Sequence, residues 1–219
     1  LQTSINEAPS YNTEEHIIQD GSKMVYNDKE RIHNVASMWQ GAIHGRGGSI
    51  VWFWDRETRS EHGNYLHNPL LTERPDTVAA LGKLTLDLNR LSKEVVSIIE
   101  SESKIGMLYS LNSWPYAKDS MNTIYNAYAS VGENGQKTQF IVESQMDKLK
   151  NMKCLIVPHS VSVTDETFKA IEEFVNNGGK LIVLGRDSLG VNEYGDKRDE
   201  TKLQALMAKA EIIDINSAL

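Results

Sequence analysis

Glu7 is a carboxylate whose predicted position, at the end of a strand, is one where catalytic groups are often found. Residues 1–6 form a short mixed segment that we predict to be a strand ending at Glu7. α/β barrels carry their catalytic groups at the carboxyl ends of strands. Retaining glycoside hydrolysis needs one carboxylate to attack the anomeric carbon and a second to protonate the leaving oxygen. Glu7 is therefore a candidate nucleophile, and the alternative is a surface glutamate at the start of a loop.

Aromatic residues end the next predicted strand, residues 49–54. The indole faces of Trp52 and Trp54 can stack on the apolar C–H face of a sugar ring, but aromatic residues also pack protein cores. Side chains alternate along a strand, so both tryptophans lie on one face and at least one is expected in the core. Asp55 and Arg56 follow the strand. They either bind sugar hydroxyls or pair with each other.

Two histidines, His62 and His67, lie in the polar loop after that strand. Together with Glu57 or Glu61 they suggest a metal site. However, a spacing of five residues matches no helical ligand pair, and a loop gives little preorganisation. We therefore expect exposed loop histidines, no bound metal and no cofactor.

The second half of the chain lacks a nucleophile. The single cysteine, Cys154, excludes an internal disulfide framework and a multi-cysteine zinc site. It begins its predicted strand instead of following it, as a catalytic elbow requires, so we interpret it as a small apolar packing residue. The first turn, residues 110–115, has no glycine for a dinucleotide phosphate. His159 has no base partner in the sequence pattern, and we interpret its segment as a loop.

The composition and net charge of the chain limit the classes of partner that it is expected to bind. The 219 residues carry a net charge of −7 and a pI near 5.4, which disfavours nucleic acid. No apolar run reaches the roughly 18 residues of a membrane span. The sequence starts at Leu1 without a signal-peptide pattern, so we expect a processed product or a fragment. Both a cytoplasmic and an exported bacterial protein fit this composition.

The first half contains two βα units. An Asn27 cap with Glu30 predicts a helix that ends at residues 45–48, after an irregular polar stretch over residues 8–27. Pro75 starts a long helix to Ile99. Two such units leave strand edges unpaired, so they require neighbouring strands. A polar break at residues 101–103 marks a domain boundary, which gives domains 1–101 and 102–219.

The second half alternates between apolar strands and amphipathic helices. Strands are predicted at residues 104–109, 137–142, 153–158, 180–185 and 211–215. Helices are predicted at residues 119–131, 145–150, 164–178 and 201–209. Strands that alternate with helices indicate a doubly wound parallel sheet.

The order of these parts resembles glycoside hydrolase family 42 and related β-galactosidase-like proteins. The resemblance rests on Glu7-Ala8-Pro9-Ser10-Tyr11-Asn12, Met38-Trp39-Gln40-Gly41-Ala42-Ile43-His44-Gly45, Trp52-Phe53-Trp54 and His67-Asn68-Pro69-Leu70-Leu71. It implies the last two βα units of a (β/α)8 barrel, followed by a flavodoxin-like or glutaminase-like trimerisation domain. Glu7 would be the nucleophile, Trp54 the aromatic residue against the sugar, and His67 a substrate contact.

Two departures lie in the implied sugar pocket. Asp55 follows Trp54 where the family usually has arginine, and Asn64 stands where a glutamate is expected three residues before His67. The resemblance therefore implies a β-glycoside substrate without fixing galactose.

The sequence thus favours a fragment of a retaining β-glycosidase. It is expected to be inactive alone, because the family's acid/base glutamate belongs to an earlier barrel strand. Its expected partners are the carbohydrate substrate, the missing N-terminal barrel part and further copies of itself, a trimer by resemblance. The alternative is a non-catalytic oligomerisation or carbohydrate-binding module. A flavodoxin-like ligand binder is a third option, which the missing phosphate loop disfavours.

Overall fold

The computed structural model describes residues 2–16, 28–52, 75–116 and 120–214. The chain divides into two compact units. The N-terminal unit contains Gln2 and Asn6–Ser101, and the C-terminal unit contains Thr3–Ile5 and Glu102–Leu219. A few residues near the N-terminus therefore pack with the second half of the chain.

The N-terminal unit is built around two parallel strands. Its elements are β1 (Ser10–His16), α2 (Asp28–Ile43), β2 (Arg46–Trp52), α3 (Pro75–Arg90) and α4 (Ser92–Glu100). The short helix that precedes them, α1 (Gln2–Asn6), lies mostly in the C-terminal unit. The register aligns Ser10 with Arg46 and Glu15 with Val51, with irregularities between them. The α2 prediction is confirmed over its described residues, and its Asn27 cap lies outside them.

Three predictions for the first half of the chain are wrong. Residues 2–6 form a helix instead of a strand, and Ile5 of this helix packs on an apolar cluster within the C-terminal unit, to which it belongs. Strand β1 lies within the stretch expected to be irregular; its sequence has a single large apolar residue, Tyr11, so pairing with β2 specifies it. The helix expected from Pro75 to Ile99 is two helices that meet at Leu91. No glycine or proline marks that break.

The C-terminal unit is a five-stranded parallel sheet. Its strands are β3 (Ile105–Tyr109), β4 (Thr138–Val142), β5 (Cys154–Pro158), β6 (Lys180–Leu184) and β7 (Glu211–Ile213), in the spatial order β4-β3-β5-β6-β7. The helices are α5 (Ser120–Glu133), a 3₁₀ helix (Glu143–Asn151), α6 (Asp165–Asn176) and α7 (Glu200–Met207). The predicted α/β fold with parallel sheets is confirmed.

Helices cover both faces of this sheet. On one face, Leu108, Leu155 and Val183 pack with residues of α6, α7 and the 3₁₀ helix. On the other face, Met107 and Tyr109 pack with α5 and with Ile5. Neighbouring residues of β3 therefore serve opposite cores, as alternation along a strand requires.

Local signals in the sequence set the bounds of α6. Thr164 caps it by accepting a hydrogen bond from the Thr167 backbone N–H at 3.1 Å. Gly178, with a φ of +91°, ends it in the left-handed conformation. Gly179 follows, where an added Cβ would lie 2.4 Å from the Phe174 ring. A larger residue at Gly179 would therefore displace a core aromatic.

One arginine fastens the long segment between β6 and α7. The Arg198 side chain is 8% exposed. Its Nε donates to the Leu189 carbonyl at 3.1 Å and its Nη2 to the Val163 carbonyl at 2.5 Å. Nη1 pairs with Asp165, and the guanidinium lies 4.5 Å over the Phe168 ring. A planar group with five donors is the side chain best suited to so many simultaneous contacts.

We expect Arg198→Ala to lower the free energy of unfolding by about 3 kcal/mol, because two buried carbonyls lose their donor. Urea titration followed by far-UV circular dichroism measures this change. The matched control is Arg186→Ala, since Arg186 is 77% exposed and its ion pair with Asp214 lies at the surface. A surface pair contributes less than about 1 kcal/mol. Equal losses in the two variants would contradict the role of Arg198.

Candidate functional site

Glu7 lies in a turn between α1 and β1. Its side chain is exposed and its φ is +53°, a left-handed conformation that is unusual for a residue with a Cβ. Pro9 and Tyr11, which follow, lie against β2, where Cβ atoms added to Gly47 and Gly48 would fall 3.0–3.3 Å from them. The turn therefore depends on two glycines of the neighbouring strand.

This position corrects the prediction that Glu7 ends a strand. Glu7 precedes β1 and stands at its amino end, whereas barrel enzymes place their catalytic groups at the carboxyl ends. The strand-end argument for a nucleophile is therefore wrong for this structure. The resemblance of the motif to family 42 remains as the basis for that role.

The other four predicted site residues lie outside the described residues. Trp54, Asp55, Arg56 and His67 all belong to residues 53–74. Their role in binding a sugar stays a prediction.

A polar cluster that the sequence did not reveal joins three elements of the N-terminal unit. Glu15 on β1 is 7% exposed. Its carboxylate accepts hydrogen bonds from Asn12 Nδ2 at 2.5 Å, Arg46 Nη1 at 2.5 Å and Ser37 Oγ at 3.3 Å. A buried carboxylate is tolerable only with such partners. Because its oxygens are occupied, Glu15 links β1, α2 and β2 and is not presented to a substrate.

In the C-terminal unit, hydrogen-bonded side chains of the protein itself occupy the crevice where an open α/β sheet usually binds a ligand. The chain leaves β3 for β4 on one side and reaches β5 on the other, so the crevice between β3 and β5 is the topological switch point. Buried Ser110 and Ser113 donate from Oγ to the Ser162 carbonyl at 2.8 and 2.6 Å. The Ser162 N–H donates back to Ser113 Oγ at 3.0 Å. These bonds join the two loops directly.

Glu143 extends this network to a third loop. One carboxylate oxygen lies 2.5 Å from Ser110 Oγ, which shares its single proton between this oxygen and the Ser162 carbonyl. The same oxygen accepts a hydrogen bond from Asn112 Nδ2 at 3.0 Å. The other accepts from the Thr164 N–H at 2.8 Å and Thr167 Oγ1 at 3.3 Å. A carboxylate thus occupies the amino end of α6, where a bound phosphate would gain most. This arrangement argues against the flavodoxin-like alternative.

Cys154 and His159 lie at opposite ends of strand β5. Cys154 begins β5, is partly buried, and burial raises the pKa of its thiol. It is therefore a poor thiolate nucleophile at neutral pH. His159 follows the other end of the strand, about 16 Å away by the strand rise. Contrary to expectation it has a carboxylate partner, since Nε2 lies 3.0 Å from Asp187 Oδ1.

The described part of the chain can be searched for a metal site and for a membrane-spanning helix. Within it, no group of three or more His, Cys, Asp or Glu side chains could hold a metal ion. Among the helices described, none is long and apolar enough to cross a membrane.

We expect Glu143→Gln to lower the free energy of unfolding by about 2 kcal/mol. The glutamine NH₂ would face a donor, either the Asn112 amide or the Thr164 N–H, and one side of the network would lose its acceptor. Thermal and urea unfolding measure the loss. Glu133→Gln, an exposed position at the end of α5, is the control and should change stability by less than about 0.5 kcal/mol. An unchanged Glu143→Gln variant would show that the network is not stabilising.

Comparison with known proteins identifies the C-terminal unit. Residues 100–207 match the sequence profile of the family described as the β-galactosidase trimerisation domain. A search of curated protein sequences finds no match.

Several solved structures of other proteins are similar to this chain over most of its length. An exo-carrageenase of glycoside hydrolase family 42 from Bacteroides ovatus superposes with a TM-score of 0.71 at 20% identity, covering 94% of this chain and 28% of that one. Gan42B, a family 42 β-galactosidase from G. stearothermophilus, gives 0.69 at 19% identity, covering 90% and 30%. The β-galactosidase from Bacillus circulans sp. alkalophilus gives 0.68 at 18% identity, covering 89% and 30%.

Identities this low show a shared fold. The chain spans less than a third of the length of these proteins. The family resemblance drawn from the sequence is confirmed: residues 100–207 match the β-galactosidase trimerisation domain family, and the chain shares the fold of family 42 glycoside hydrolases.

Proposed function

We propose that this chain is part of a retaining β-glycosidase of the β-galactosidase type, and that residues 102–219 hold copies of the enzyme together. One observation carries the assembly role. A domain of the trimerisation family has its switch point closed by Ser110, Ser162 and Glu143. A sheet edge that is filled by its own side chains suits a structural role better than ligand chemistry.

The catalytic part of the proposal concerns the N-terminal unit. Glu7 would be the nucleophile, while Trp54, Asp55, Arg56 and His67 would contact the sugar. These roles rest on the order of the motifs that resemble family 42. A second carboxylate, about 5 Å from the first, is required to protonate the leaving group.

The strand carboxylates that follow Glu7 in the sequence are Glu14 and Glu15 on β1. Glu15 is not available to protonate the leaving group. Glu15 is buried and its oxygens are bonded to Asn12, Ser37 and Arg46. Glu14 is exposed on the same strand. The proposal therefore takes the acid/base carboxylate from barrel residues outside these 219, and the isolated chain is expected to be inactive on β-glycosides.

The nucleophile is tested by covalent trapping. We expect Glu7→Gln, made in the protein that includes the upstream barrel strands, to abolish labelling by a 2-fluoro-β-galactoside, because the amide cannot form the glycosyl ester. Mass spectrometry of the intact protein measures the adduct. The control is Glu14→Gln, which removes an exposed carboxylate seven residues away and should leave labelling unchanged. Undiminished labelling of Glu7→Gln would exclude Glu7 as the nucleophile.

The assembly role is tested by native mass. Sedimentation of the 219-residue chain at high micromolar concentration should give a multiple of 24.6 kDa, three times that mass for a trimer. A dependence on concentration is expected, because subunit association follows mass action. A chain that stays monomeric at the highest concentration would contradict the proposal.

The second candidate, a non-catalytic oligomerisation or carbohydrate-binding module, is favoured by the position of Glu7 at the amino end of β1. The same two experiments separate the candidates. Oligomers together with no covalent labelling of the longer protein would support the non-catalytic module. Oligomers with labelling that needs Glu7 would support the glycosidase.

A further inference from the structure

The sequence contains two Asn-Gly pairs, Asn134-Gly135 and Asn177-Gly178, and each stands directly after a helix. An asparagine that precedes glycine loses its side-chain amide more readily than other asparagines, because glycine has no Cβ to hinder attack by its own backbone nitrogen. Both pairs are exposed at the surface. They are therefore candidate sites of spontaneous covalent modification, and their surroundings decide which of them reacts.

The end of α5 has the hydrogen bonds of a Schellman motif. Gly135 has a φ of +69°, its N–H donates to the Gly132 carbonyl at 2.9 Å, and the Gln136 N–H donates to the Val131 carbonyl at 3.1 Å. While these bonds are intact, the Gly135 nitrogen keeps its proton in a hydrogen bond and is a poor nucleophile. Reaction at Asn134 therefore requires the last turn of α5 to open.

The end of α6 has the same motif. The Gly178 N–H donates to the Val175 carbonyl at 3.0 Å, and the Gly179 N–H donates to the Phe174 carbonyl at 2.9 Å. Because the local bonds of the two pairs match, the intrinsic chemistry does not separate them. The rate at each asparagine in the folded chain is then set by how often its own turn opens.

The last turn of α6 is fastened to the core. Phe174 is 8% exposed, and the Gly179 backbone lies against its ring, where an added Cβ would fall 2.4 Å away. The next residue is already part of the sheet, since the Lys180 N–H donates to the Lys153 carbonyl at 2.9 Å. Opening this turn would separate the backbone from the ring and expose the ring to water.

The last turn of α5 lies at the surface. Residues 132–137 are all exposed, and a Cβ added to Gly132 would meet no described atom within 4 Å. Glycine within a helix also weakens it. Packing on the core is provided by Val131, which is partly buried. The bond from Asn134 Nδ2 to the Ser130 carbonyl, at 2.8 Å, is exposed to water. This turn therefore opens more easily than the turn of α6.

We propose that Asn134 is a site at which this chain is modified by deamidation, and that the fold protects Asn177. When the turn opens, the Gly135 nitrogen gives its proton to hydroxide and attacks the Asn134 Cγ. The bond from Cγ to Nδ2 breaks, and the nitrogen leaves as ammonia, which takes its additional proton from water. Water then opens the resulting succinimide at either carbonyl, so the products are aspartate and isoaspartate.

The product changes the end of α5. A new carboxylate stands next to Glu133, in the last turn, where the helix dipole disfavours negative charge. Isoaspartate also adds a methylene group to the backbone, so the hydrogen bonds of Gly135 and Gln136 cannot both form in their present geometry. The aged chain is therefore more acidic and has a shortened α5 beside β4, a strand at the edge of the sheet.

The test is ageing of the 219-residue chain at mildly alkaline pH, once folded and once unfolded in guanidinium chloride. Trypsin releases residues 119–137 and 170–180, which carry the two pairs, and fragmentation mass spectrometry measures the conversion of amide to acid at each asparagine. The unfolded chain gives the intrinsic rate of each pair, so the ratio of folded to unfolded rates reports protection alone. We expect this ratio to be on the order of tenfold lower at Asn177 than at Asn134, because the turn of α6 must expose a buried ring to open.

Two matched variants locate the modification. In Asn134→Gln the cyclisation would need a larger ring, which closes more slowly, so most of the acidic form that anion-exchange chromatography resolves from aged wild type should be lost. Asn177→Gln, the control, should accumulate that form as the wild type does. Far-UV circular dichroism checks the fold of each variant, and the wild-type rates decide the question if a variant does not fold.

Three results would overturn the proposal. The first is equal protection of the two pairs, or faster loss of the amide at Asn177 in the folded chain. The second is an intact Asn134 in the folded chain under conditions in which the unfolded chain reacts. The third is an acidic form that accumulates undiminished in Asn134→Gln, which would place the modification at another residue.

Discussion

The carboxylate of Glu143 is the interaction on which the carboxyl edge of the C-terminal sheet depends. The carboxylate is partly buried, and four polar groups lie within hydrogen-bonding distance of it, two on the loop after β3 and two at the amino end of α6. The hydrogen bonds therefore join both of these segments to the start of the 3₁₀ helix. The turn that begins at Ser110 and the residue that caps α6, Thr164, are thus both linked to this carboxylate.

Closing the switch point changes what this edge of the sheet can do. In a doubly wound fold the crevice beyond the strand ends normally holds a ligand, but here Ser110, Ser113 and Ser162 occupy it with their own hydrogen bonds. The turns that would enclose a ligand instead present Trp114 and Tyr194 to solvent. These hydrogen bonds leave the loops joined to each other instead of open to a ligand.

The sequence predicted the C-terminal unit far better than the N-terminal one, for physical reasons. Strand β5 is a continuous apolar run, and α6 carries its own cap at Thr164 and stop at Gly178, so local signals suffice there. Strand β1 is polar and depends on pairing with β2, more than thirty residues away. The Glu143 network escaped prediction similarly, since its partners are 21 to 33 residues distant along the chain. Only a fold brings such polar groups together.

Among the described residues, the two units differ in the number of strands in their sheets, and this difference bears on where catalysis would lie. In the C-terminal unit five strands are covered on both faces, as parallel sheets require. Among the described residues the N-terminal sheet has two strands, and two parallel strands are marginal as an independent sheet. Assembly can therefore be a property of the C-terminal unit alone. Glycoside hydrolysis by Glu7 would need further strands, and it is those strands that would have to carry the second carboxylate.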